Sequence, residues 1–163
     1  MRWILLAVFV FLAGCSSGDA LPSDQGASSQ QKLNPFPDAA EVRLFVESGE
    51  YRNQEAVFTN PDGQSMTKEQ RKVLENAISV KRIEPDQAFA ACFIPHHFFR
   101  YYDAVGKQLG EISVCFCCAG VRIDSSDRSA KFEIDEDHYL AADYAGLETL
   151  VKSMGEPTDI ECE

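Results

Sequence analysis

A chain of 163 residues with 15 basic against 26 acidic side chains carries a formal net charge of −11. Such a surface repels phosphates, which excludes electrostatically driven binding to nucleic acid or to anionic lipid headgroups. The length provides for one domain with a genuine core and little beyond it.

After Met1-Arg2 the chain runs from Trp3 to Ala13 without a polar side chain, the short basic start and apolar core of an export signal. As a helix this run would reach about 16 Å, against roughly 30 Å for a hydrocarbon core, so it is no ordinary membrane span. It ends in Leu12-Ala13-Gly14-Cys15, followed by the polar Ser16-Ser17-Gly18-Asp19. That junction resembles the lipobox of bacterial lipoproteins. The resemblance covers only the leader and its junction. It implies that residues 1–14 are a signal peptide and that Cys15 becomes the lipidated N-terminus, with the lipid bilayer as partner through its acyl chains. Two or three chains hold a protein where one does not. Ser rather than Asp after the Cys further implies the periplasmic face of the outer membrane, if the organism is diderm. Removal of the leader takes Arg2 with it and leaves 14 basic against 26 acidic residues, or −12.

Residues 15–40 read as the lipidated N-terminus and a flexible tether, because Gly18 to Pro37 is rich in Ser, Gln, Gly, Asp and Pro and poor in side chains that could build a core. Residues 41–163 form a single globular domain. Its first element is a strand at Glu41–Glu47, with a weaker second at Gln54–Thr59, and Asn60-Pro61-Asp62-Gly63 then stops regular structure. Thr67 and Gln70 have capping-box spacing, which with Val73, Leu74, Ala77 and Ile78 predicts a helix from about Lys68 to Ser79. Strands follow at Ala88–Ile94, His97–Tyr102, Gln108–Cys118, Val121–Asp124 and Lys131–Ile134. Asp103-Ala104-Val105-Gly106 supplies a hairpin turn in which Gly106 takes a positive φ. Leu140, Tyr144, Leu147, Leu150, Val151 and Met154 predict a second helix from about Ala141 to Met154, stopped by Gly155 and Pro157. The expected class is α+β, an antiparallel β-meander with two helices.

An exported domain can form disulfides. With Cys15 consumed by lipid, Cys92, Cys115, Cys117, Cys118 and Cys162 remain, so two bridges leave one free thiol. Cys92 is expected to bridge to Cys115 or Cys117 across the meander, and Cys162 to staple the C-terminal tail to one of the others. The same block, Cys92-Phe93-Ile94-Pro95-His96-His97 with Cys115-Phe116-Cys117-Cys118, offers an alternative. Thiolates and imidazoles from Cys92, His96, His97, Cys115, Cys117 and Cys118 suit Zn or Cu. Its spacing is taken as neither paired C-x2-C ribbons nor a C-x-x-C redox motif. For His96 and His97 the plainer expectation is a satisfied backbone contact or a surface position.

The two cysteine segments also resemble stretches of small exported bacterial proteins to which no activity is attached, so that resemblance implies nothing about function. No G-x-S-x-G elbow, P-loop, H-E-x-x-H helix or dinucleotide turn occurs. The expectation is therefore a non-enzymatic binding or inhibitory module with no cofactor, suited by its charge to a basic envelope protein. Metal handling and thiol redox chemistry are the alternatives.

Overall fold

The structure, a computed structural model, describes residues 33–127 and 132–160. The leader, Cys15 with its lipobox, Cys162, and Lys131 at the start of the last expected strand lie outside the described residues.

The fold is α+β. Alternating apolar side chains at Val42, Leu44 and Val46 build β1 (Glu41–Arg52), which continues past Gly49 into a hairpin with β2 (Glu55–Phe58). Asn53 and Gln54 in that turn both have positive φ, as a two-residue turn matched to strand twist requires. Asn60 then stands in for a neighbouring strand: its amide accepts from the Val46 N–H and donates to the Leu44 carbonyl, at 2.9 Å each. A short β3 (Gln64–Ser65) pairs with β1.

Thr67 and Gln70 cap α1 (Lys68–Ala77) reciprocally, each side chain accepting from the other residue's backbone N–H. The helix stops before Ser79 because Ile78 is extended and opens β4 (Ile78–Arg82). Helical spacing at Ile78 masked this strand. β4 pairs antiparallel with β8 (His138–Ala142), and α2 (Tyr144–Ser153) begins three residues later than expected, capped by the Asp143 carboxylate. Ile78 faces Ala142 in the ribbon, so both helices leave it at the same end and pack side by side.

The expected meander is formed by β5 (His97–Tyr102), β6 (Gln108–Cys115) and β7 (Gly120–Ser125) in a sheet ordered β2-β1-β5-β6-β7. Gly106 turns β5 into β6 at φ +83°. The Gln108–Cys118 run leaves the strand after Cys115, turning through residues 116–119. Among the described residues two expected strands are absent. Ala88–Ile94 is irregular, since β5 already carries β1 on one side and β6 on the other and offers no open ladder. Pro85 and Pro95 at its margins also lack the N–H a ladder needs. Phe132–Ile134 is likewise irregular.

One sheet face carries rows that cross three strands, Leu44–Phe99–Ile112 and Val46–His97–Val114, and α1 and α2 cover it with Leu74, Leu147 and Val151. Leu33, Phe36 and Ala39, assigned to the tether from sequence, belong to this core. Arg71 on α1 holds them there by donating to the Ala39 and Phe36 carbonyls. The Phe36 ring lies where a Cβ on Gly110 would be, so that strand position admits only glycine without displacing the ring. On the other face Phe45, Phe58 and Phe98 pack edge to face, under an Arg100 guanidinium that also pairs with Glu111 at 3.1 Å. Phe98 and Phe99, on opposite faces of β5, are thus both covered. No helix among the described residues is long and apolar enough to cross a membrane.

Candidate functional site

The sulfur chemistry gathers at the β6–β7 turn. Cys115 ends β6 almost fully buried, and Cys118, three residues on, is disulfide-bonded to it across a Cα–Cα distance of 5.6 Å. The expectation that the run holds no C-x-x-C is therefore corrected: its outer pair has that spacing, and Cys117 between them hid it. The bond also corrects the expected bridge from Cys92 to Cys115. Strand alternation carried through to Cys118 would put Cys115 and Cys117 on one face and Cys118 on the other, but the turn after Cys115 brings Cys118 back over it. The Cys118 N–H lies 3.3 Å from the Cys115 sulfur. Ala119 closes the turn at φ +47°, a left-handed conformation that costs a Cβ-bearing residue roughly 1–2 kcal/mol. Ala119→Gly is expected to raise unfolding free energy by up to about 1 kcal/mol, read from the urea midpoint at unchanged slope.

Cys117 points outward and is also disulfide-bonded, which leaves it unavailable to Cys92. Its sulfur lies 3.4 Å from the carbonyl oxygen of Ile160, so the C-terminal tail crosses the end of β6. Cys92 is a free, exposed thiol.

Of the two plain positions expected of the histidines, His97 takes the backbone contact, while the buried His96 side chain takes neither. His97 does satisfy a backbone group, but it is deeply buried on the core face. Its ring stands edge to face with Phe116, and Nε2 lies 2.7 Å from the Pro157 carbonyl. Because a carbonyl only accepts, Nε2 carries the proton. The neutral ring is favoured, burial pushing its pKa down. His96 is buried too, with Nδ1 3.6 Å from the Glu47 carboxylate, whose pKa burial raises. No motif in the sequence marks Glu47 as that partner.

The sign for His97 follows from its depressed pKa. Above the ordinary imidazole value of about 6.5, folded and unfolded chains are both neutral there; below it the unfolded chain takes up a proton that the folded one resists. Stability at this site therefore falls as pH drops from about 6.5 toward the lower folded value. Glu47 acts in the opposite sense, since its raised pKa favours the folded state as pH falls toward the ordinary carboxyl range. His97→Gln should flatten the loss of urea resistance between pH 7 and pH 5. An unchanged slope would mean that His97 is protonated in the fold.

A groove of about 510 Å³ opens beside the turn. Phe89, Phe93 and Cys92 form one wall, Cys118 and Val121 the floor, and Tyr139 and Leu140 of β8 the other wall. Phe89 stacks edge to face on Tyr139, and Phe93 lies against Gly120 and under the Arg122 guanidinium. At the nearby ribbon end, where Arg82 pairs with His138, exposed Glu84 and Asp86 meet exposed Asp135, Glu136 and Asp137. The Ile83 N–H donating to the Asp137 carbonyl ties these two loops together. His138 Nδ1, 2.6 Å from the Asp135 carboxylate, holds that carboxyl below its ordinary range. This acidic end was not legible in sequence, since its two halves lie some fifty residues apart and β4 was read as helix. Lys81 and Arg82 offset only part of the charge.

The candidate metal ligands are not drawn into one constellation. Cys115, Cys117 and Cys118 are in disulfides, and His96 and His97 extend to Glu47 and Pro157. Among the described residues no group of three or more His, Cys, Asp or Glu is placed to hold a metal ion. No protein-family model, curated protein or solved structure matches the chain.

Proposed function

We propose that this is an envelope lipoprotein anchored through acylated Cys15, whose disulfide-braced domain is a non-enzymatic module binding a basic segment of another envelope protein. The anchor rests on Leu12-Ala13-Gly14-Cys15 and the apolar run before it. The observation that carries the binding role is an aromatic groove adjoining an acidic end, with Phe89 at 55% exposure beside it. Apolar side chains in the groove would take a hydrophobic or aromatic residue, while Glu84, Asp86, Asp135, Glu136 and Asp137 would draw in flanking Lys or Arg.

Inhibition of a basic cell-wall hydrolase is the form of this function most open to assay. The domain should lower the turnover of purified cell wall by such an enzyme and show no turnover of its own. Neutralising the five carboxylates to Asn or Gln should weaken inhibition by ~10-fold or more, and the difference should shrink as salt rises. Inhibition that is equal in both proteins, or absent from the wild type, would reject the acidic docking end; turnover by the domain itself would reject the non-enzymatic role. Separately, Cys15→Ser should release the protein from the membrane fraction.

Metal handling through the cysteine block would require the disulfides to be reduced first, because ligation needs thiolates. Zn or Cu binding that appears only after reduction would favour that alternative.

A further inference from the structure

The groove holds two kinds of sulfur at once. Cys92 is a free, exposed thiol on one wall, and Cys118, half-exposed on the floor, is one end of a disulfide whose other end, Cys115, is buried at 3% exposure. Phe93, next in sequence to Cys92, packs on Gly120, and an ideal Cβ at Gly120 would lie 3.7 Å from the Cys118 sulfur. That aromatic contact holds Cys92 in the groove that Cys118 also lines. Between Ile83, bonded to the Asp137 carbonyl, and the buried His96, residues 84–95 form no strand or helix, and the Phe89 and Phe93 side chains pack this segment on Tyr139 and under Arg122.

We propose that Cys92 is the third sulfur of an intramolecular thiol–disulfide exchange centre. The Cys92 thiol gives its proton to solvent and the thiolate attacks Sγ of Cys118. The Cys118–Cys115 bond breaks, and Cys115 leaves as a thiolate that takes up a proton. One disulfide replaces another with no net oxidation, so no external oxidant is consumed. Attack falls on Cys118 because that sulfur faces the groove, whereas Cys115 is enclosed at the end of β6. The product ties the 83–96 segment to the β6–β7 turn and pins one wall of the groove to its floor. This chemistry stands whether or not the groove takes a basic partner.

Disulfide mapping tests it on the natively purified full domain. After incubation at mildly alkaline pH and acid quenching, tryptic digestion without reductant should give, besides the Cys115–Cys118 form, a species joining peptide 83–100 to peptide 108–122, with the peptide bonded through Cys117 still attached in both. Fragmentation should locate the link at Cys118 with Cys115 free, and Cys92→Ala should abolish the species. With oxidised glutathione, Cys115→Ala should form a Cys92–Cys118 bond, whereas Cys118→Ala should leave Cys92 and Cys115 unjoined. A wild-type map with no link from Cys92 overturns the proposal even if a variant fails to fold. So does a Cys115→Ala protein, folded by circular dichroism, in which Cys92 and Cys118 remain separate.

Discussion

Cys117→Ser should lower the melting temperature by roughly 10–15 °C, while Cys92→Ala should leave it nearly unchanged. The contrast comes from loop length. A cross-link removes freedom from the unfolded chain in proportion to the logarithm of the loop it closes. Cys115–Cys118 closes only a turn, with a sequence separation of 3, and is worth about 2 kcal/mol on that scale. Cys117 is bonded where the tail crosses β6, its sulfur 3.4 Å from the Ile160 carbonyl. Cys162 is the partner we expect, and that bond would close about 46 residues, contributing roughly 4 kcal/mol. Cys92 closes nothing in this form of the protein, so its loss removes no constraint. Calorimetry of both variants and of the reduced wild type decides the matter. A large drop for Cys92→Ala with none for Cys117→Ser would restore the Cys92 bridge that the sequence first suggested.

Phe99→Ala should cost about 3–5 kcal/mol, and Phe98→Ala less than half as much. Phe99 has no exposed surface and sits in the row Leu44–Phe99–Ile112 under the helices, so truncation leaves a cavity that strand backbones on both sides cannot collapse into. Phe98 faces the other way, half-buried between Phe58 and the Arg100 guanidinium, where water and a long side chain can refill the space. Urea denaturation at equal slopes measures both. Equal costs would mean that the two sheet faces are comparably packed and that the helices do not define the main core.

What was legible in the sequence depended on whether local pattern and tertiary demand agreed. At β5 and β6 they agreed: period-two alternation matched a strand with a covered face, and Gly106 was placed where a positive φ was needed. Thr67 and Gln70 were readable because a capping box is satisfied within four residues. At Ile78 they conflicted. Its apolar side chain fits the helical stripe of Val73, Leu74 and Ala77, and only the distant pairing with Ala142 makes it a strand. Ala88–Ile94 failed for the converse reason, a strand-like composition with no free edge to join. Among the described cysteines three are bonded and Cys92 is free, and the Cys115–Cys118 pairing was not legible because alternation extends past Cys115 only until the chain turns. The groove and its acidic end arise where β7, β8 and an irregular segment converge. No local pattern encodes that convergence.

The placement of Phe36 decides which end of the domain looks outward. The described chain enters beside Gly110 and Tyr101, where Ala40 donates its N–H to the Tyr102 carbonyl. Cys118, folded back over Cys115, lies with the groove at the opposite end of β6, which is roughly 17 Å from Gly110 along the strand. If Cys15 is held at a bilayer, the stretch up to Leu33 can extend no more than about 65 Å. If that stretch were drawn taut, its attachment near one pole of the sheet would leave the sulfur-bearing pole as the leading surface. A partner fixed in the same membrane would have to stand taller than the domain, or bend back, to reach the groove. One approaching from the far side would meet it first.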